Sequence, residues 1–223
     1  MATIAILGSP TALGGHFGGM EHGPRLLREA GLIDLLVGRP GLAGQTLVDH
    51  GDVPNDPGWA ADDDPRAKNR ALIAAYLPRL AEHVERTIRA PAAGAVDERD
   101  DSAEADARAD RPRLLILGGD CTSHAGALAG LKRAQPDARY GIAWFDAHGD
   151  FNTPDTTPSG NVWGMPFAML LGRGDADLVD ACDGPTVLEE DAALLGGQVL
   201  DEQESRMLAA SRVSHFGAGM LGT

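Results

Sequence analysis

Residues 144–166 read WFDAHGDFNTPDTTPSGNVWGMP, and the class of fold turns on how this stretch is placed. It continues an apolar run that starts at Tyr140, Gly141, Ile142 and Ala143 and takes in Trp144 and Phe145. That run is short enough to be a buried strand. Asp146, His148 and Asp150 then stand at i, i+2 and i+4. In an extended segment residues two apart share a face, so the spacing predicts that the three side chains converge. Two carboxylates and an imidazole just past the carboxyl end of a strand suit a divalent metal, and open α/β sheets keep their sites there. The competing reading is a solvated acidic turn, because Asp and Gly are common turn residues. Three alternating ligand-type side chains ahead of a Gly-, Asn-, Pro- and Ser-containing loop favour the metal.

Short apolar runs and helical periodicities alternate on either side of this stretch. Residues 4–7 read as a strand, broken by Gly8, Ser9 and Pro10. Further strands are expected at residues 47–49, 114–117, 192–195 and 213–216. Helical spacing runs from Pro24 through Leu32 and Leu36, and over residues 66–89, 123–134, 163–171, 176–182 and 202–211. Within residues 66–89, Ala71, Leu72, Ala75, Leu80, Val84 and Ile88 form one stripe. Pro78 is expected to kink or divide that helix. The alternation predicts an α/β fold, a single domain over residues 1–223, with a mostly parallel sheet covered on both faces. Residues 90–113 carry no hydrophobic larger than Val and are expected to be a disordered insertion. The glycine-rich residues 14–19 lack the spacing and the lysine of a phosphate loop, which excludes nucleotide binding there. His16 and His22 read as loop or packing residues.

Composition narrows the classes further. The chain has 33 acidic and 19 basic residues and a formal charge of −14, which argues against nucleic acid or an anionic membrane as partner. The same charge suits a small cationic substrate. Two cysteines, Cys121 and Cys182, are too few for a disulfide framework. A strand starts almost at residue 1, leaving no room for a signal peptide, and no apolar run is long enough to span a bilayer. A cytoplasmic location is therefore expected, and homo-oligomerisation is left open.

Asp146-Ala147-His148-Gly149-Asp150, followed by Phe151-Asn152-Thr153-Pro154 and by Ser159-Gly160-Asn161-x-x-Gly164-Met165-Pro166, resembles the ureohydrolases: arginase, agmatinase, formimidoylglutamase and their relatives. Leu117-Gly118-Gly119-Asp120 is similar to that family's Gly-Gly-Asp-His block. The resemblance runs from residue 4 onward. It implies an arginase-like three-layer α/β sandwich. It also implies a metallohydrolase that uses a metal-bound hydroxide to cleave a non-peptide C–N bond in a guanidino or amidino compound. Two manganese ions would be the cofactor. Carried over by position, Asp146 would bridge the ions, Asp150 and Cys121 would sit on one, and His148 on the other. Asn152, Ser159 and Asn161 match loop positions that bind the substrate's amino-acid end. Trp163 stands where many arginases have a histidine that helps proton transfer, and a large aromatic there would face the substrate. Cys121 replaces a histidine ligand. A thiolate is softer and better suited to zinc or iron, so three readings stay open: a different metal, a weak site, or a small buried residue.

The family's second metal motif, Asp-x-Asp on a late strand, has no counterpart before Thr223. By the same resemblance, the segment that carries it also supplies two strands in the middle of the sheet. The expectation is a sheet incomplete at its C-terminal end, with two unpaired central edges. The alternative to an enzyme is thus a non-catalytic or truncated family member with a weakened metal site. A metallophosphoesterase is set aside, because Gly160-Asn161 runs into Val162-Trp163 where that class needs a histidine.

Overall fold

The computed structural model describes residues 3–55, 64–90, 112–217 and 219. Most of the expected insertion, residues 91–111, lies outside them. Six strands are present among them: β1 (Thr3–Ser9), β2 (Thr46–Asp52), β3 (Arg113–Gly118), β4 (Ile142–Asp146), β5 (Ala192–Gly196) and β6 (Ser214–Phe216). Arg113 opens β3, so the insertion cannot extend as far as residue 113. Every pairing is parallel. The strands form two half-sheets, β2-β1-β3 and β4-β5-β6. Among the described residues, β3 and β4 each keep one edge without a strand partner, as the sequence led us to expect. In β1, the consecutive residues Ala5, Ile6 and Leu7 are 0, 0 and 2% exposed. Successive side chains point to opposite faces, so the first half-sheet is covered on both. On β4 the expectation fails. Trp144 is buried against Phe167, but Phe145, on the other face, is 74% exposed because no described element covers it.

Among the described residues, seven helices join the strands: α1 (Gly23–Glu29), α2 (Leu32–Val37), α3 (Arg70–Arg89), α4 (Thr122–Ala134), α5 (Pro166–Leu170), α6 (Ala176–Ala181) and α7 (Glu202–Ala209). The periodicity from Pro24 to Leu36 is split in two at Gly31, whose φ of 82° takes the chain out of the helix. Helix α3 starts at residue 70 rather than 66, and Pro78 neither ends nor divides it. Its buried face is Ile73, Tyr76, Leu77, Leu80, Ala81, Val84 and Ile88, while Ala71 and Ala75 are exposed. The bulkier side chains took the core and rotated the stripe, since each buried Leu or Ile is worth about 2 kcal/mol and an alanine much less. Residues 163–171 hold a 3-10 turn at Val162–Gly164 and the short α5 rather than one helix.

Helix α3 lies along α4, and the contact is built from small residues. Gly126 and Gly130 of α4 face Leu77, Leu80, Ala81 and Val84. A Cβ on Gly130 would stand 2.5 Å from the Ala81 carbonyl oxygen and from Val84 Cβ. Alanine at 130 gains up to ~1 kcal/mol of helix propensity, but overpacking a tight contact costs about 1–3 kcal/mol. Gly130→Ala is therefore expected to lower stability, read as an earlier urea midpoint with an unchanged slope. A midpoint at or above that of the parent would show that the two helices do not meet this closely.

Candidate metal centre

The carboxyl ends of β3 and β4 meet at one point. Past β3, Gly119 donates its N–H to the Ser9 carbonyl (2.9 Å) at the end of β1. It fits only because it has no side chain: a Cβ there would lie 1.9 Å from the Thr11 carbonyl oxygen. Asp120, 5% exposed, accepts from the Gly14 N–H (2.8 Å) and the Thr122 N–H (2.9 Å), which ties the loop after β1 to the start of α4. Cys121 is delivered between these anchors. From the other half-sheet come Asp146, the last residue of β4, and Asp150. The Cys121 sulfur and one oxygen from each of these carboxylates all lie within 4.8 Å of one another.

The route to this convergence differs from the one the sequence suggested. Strand β4 ends at Asp146, and Asp150 has φ 47°, in the left-handed region. A turn brings Asp150 back beside Asp146; strand alternation does not. His148 consequently stays at the rim. Its side chain is 65% exposed and its Nδ1 lies 3.3 Å from Asp146 Oδ1, outside the Cys121–Asp146–Asp150 cluster.

The cluster is electrostatically strained. Burial is the main reason the Asp150 carboxyl is pushed up to about 7, and the neighbouring Asp146 adds to it. Burial first, then Asp150 and Asp146, push the Cys121 thiol far above its ordinary value. Two unit charges this close repel by about 3 kcal/mol even at an effective dielectric of about 20. Asp150 Oδ2 is buried with no hydrogen-bond partner. A buried carboxylate oxygen left unpaired is costly, and a bound cation would relieve both penalties at once.

The cluster forms the floor of a cleft of about 410 Å³. Asn152, Ser159, Asn161 and Trp163 all line it. Asn152 is held at both ends, donating to Asp201 (3.0 Å) and accepting from Thr156 (3.0 Å). Asn161 accepts from Lys68 (3.2 Å) and its amide nitrogen lies 2.9 Å from His16 Nδ1. His16 and Phe17 in turn pack against the Trp163 ring. Ser159 is exposed and accepts from the Asn161 N–H (3.2 Å).

Sequence reasoning missed Asp201 and Glu204, which also line the cleft. They form a capping box at the start of α7, and an Asp followed three residues later by Glu was the available signal, though it speaks of helix capping rather than of a site. Glu204 is 3% exposed, accepts from the Phe151 N–H (2.9 Å), and has its carboxyl pushed up by burial. With Asp120, Asp146 and Asp150, the described residues of the lining include five carboxylates and neither Lys nor Arg.

A pH dependence follows for the metal-free protein. Between about pH 4 and 7 native Asp150 keeps a proton that the unfolded chain has already lost, so stability falls as pH rises through that window and then levels off. Asp150→Asn removes this loss. The variant should be more stable than the parent above pH 7, by up to about 4 kcal/mol, and equal to it near pH 4. Urea denaturation at several pH values decides it; parallel pH profiles for the two proteins would refute the assignment.

The sequence matches the profile of the Arginase family over residues 2–220. It is 33% identical to the arginase of Bacillus subtilis over 211 residues, covering 94% of this chain and 62% of that one. It is 30% identical to human arginase-1 over 223 residues, covering 96% and 60% respectively. The solved arginase of Bacillus caldovelox superposes with a TM-score of 0.79 at 30% identity, covering 99% of this chain and 66% of that one. The Bacillus subtilis formimidoylglutamase shares the fold, with a TM-score of 0.61 at 16% identity. The chain thus spans about 62% of the length of the Bacillus arginases it matches. A profile that matches almost every residue, on an α/β frame that superposes on solved arginases, shows that this chain belongs to the arginase family.

Proposed function

We propose that this chain carries a metal-dependent centre for hydrolysing a non-peptide C–N bond in a guanidino or amidino compound. The supporting observation is the thiol and two carboxylates within 4.8 Å of one another, at the base of a cleft lined by acids and, among the described residues, by no Lys or Arg. Cys121, Asp146 and Asp150 would hold the first divalent ion. His148, beside Asp146, would offer its imidazole to a second, and membership of the family makes manganese the expected metal. When bound, such ions act as Lewis acids and make water a nucleophile at neutral pH. The chain's own groups do the rest. Asp201 would set negative charge beside a cationic substrate, Glu204 would hold the loop after β4 in place, and Asn152 and Asn161, fixed by their partners, would present oriented amides. Trp163, backed by His16 and Phe17, walls one side of the cleft against water. No described helix is long and apolar enough to cross a membrane. The charge of −14 suits a small cationic substrate better than a nucleic acid or an anionic membrane surface.

A second reading, metal binding without turnover, is favoured by one observation: the donors that converge serve a single ion, and His148 stays outside them. Metal stoichiometry and urea release from arginine, agmatine and guanidinobutyrate separate the two. We expect one tightly held ion per chain, with the second, at His148, held only at high metal concentration; both are lost in Asp146→Ala, together with a slow metal-dependent urea release. One tightly held ion with no urea from any of the three compounds would establish the second reading instead. Failure to bind any divalent ion would dismiss both.

A further inference from the structure

We infer that Cys121 makes this centre select a thiophilic ion, zinc, over manganese. The inference rests on the proposed function only for the presence of a metal centre. The molecule contains two cysteines in opposite settings. Cys182 is 0% exposed, belongs to the hydrophobic core, and donates its S–H to the Val179 carbonyl (3.3 Å). That is how a packing cysteine sits. Cys121 faces Asp146, Asp150 and Asp120, which is an environment no apolar side chain would favour. Asp150 is 5% exposed and its Oδ2 is buried with no hydrogen-bond partner, although Asp150 lines the same cleft.

The spacing suits one shared ion. Zinc takes thiolate sulfur at about 2.3 Å and carboxylate oxygen at about 2.0–2.2 Å, which puts two tetrahedral donors about 3.6 Å apart. Donor atoms within 4.8 Å of one another need only a small contraction to reach that. On binding, the thiol proton leaves to solvent and the sulfur donates as thiolate. Any nitrogen and oxygen site already ranks manganese below zinc, and a soft donor widens the gap. The position of Cys121 therefore adds selectivity that oxygen donors alone would not supply.

The test uses the full 223-residue chain loaded with cobalt(II) or zinc. Thiolate ligation gives cobalt an intense near-ultraviolet charge-transfer band. That band is expected in the parent and in Cys182→Ala, and is expected to vanish in Cys121→Ser while the visible ligand-field bands remain. The zinc K-edge spectrum should show one sulfur at about 2.3 Å. In competition titrations, the preference for zinc over manganese should fall at least ten-fold in Cys121→Ser. Should that variant not fold, the parent and Cys182→Ala spectra still decide. Cobalt bound without the charge-transfer band, or an unchanged zinc preference in a folded Cys121→Ser, overturns the inference and leaves the metal centre standing. No cobalt, zinc or manganese bound at all overturns both.

Discussion

Negative charge taken out of water without a positive partner from the chain is the constraint on which this structure depends. Elsewhere among the described residues several acids are matched with arginines: Arg28 with Asp49, Arg70 with Asp175, Arg133 with Asp183, Arg139 with Asp191. In the cleft the pattern stops. Its described lining includes five carboxylates and no Lys or Arg, and Asp150 and Glu204 are nearly fully buried. Surface ion pairs contribute little each, so the pairs outside are not what makes the molecule unusual. The unpaired acids inside are, because an isolated buried charge costs several kcal/mol and is retained only where something else offsets it.

The backbone is arranged to hold these acids rigidly. Gly119 lets the end of β3 press against Thr11, and Gly149 leaves room for Glu204, whose Oε1 would stand 2.6 Å from a Cβ at that position. Glu204 caps α7, receives the Phe151 N–H and faces the cleft, so a single carboxyl joins the helix start, the loop after β4 and the site. Asp120 acts similarly between the loop after β1 and α4. The acids that line the cleft are thus largely those that fix the loops in place. A substitution meant to probe chemistry at Asp120 or Glu204 would also disturb the scaffold.

Much of this was legible in the sequence, for identifiable reasons. All six strands were, because Ile4, Leu115, Trp144 and Leu194 sit in short apolar runs bounded by turn residues. The approach of Asp146 and Asp150 was legible from residue type and the Asp-x-His-x-Asp spacing, whereas Cys121 entered only through the resemblance of its Gly-Gly-Asp block to the ureohydrolases. The geometry of the cluster was not legible, because the left-handed turn at Asp150 looks like strand alternation when read as letters. The buried face of α3 was misjudged, because alanine fits either face and the helix turned to bury Ile73, Tyr76 and Leu77. Asp201 and Glu204 escaped notice because a capping box has a sufficient local explanation. Only tertiary contact with Phe151 and Asn152 shows the second use.

The two half-sheets give the metal centre a mechanical meaning. Cys121 is carried by the half-sheet that ends in β3, and Asp146 and Asp150 by the half-sheet that begins with β4. An ion held by all three is a cross-link between the two halves, fixing the separation of the open β3 and β4 edges. A parallel strand that paired with either edge would have its carboxyl end on the same side of the sheet as these donors, and would bear on the same separation. Edge pairing and ion binding therefore share one coupling free energy, and each must tighten the other by an equal factor. Such an ion would add one polar link between two halves that a single hydrophobic core, from Leu7 to Trp144 and Leu194, already joins.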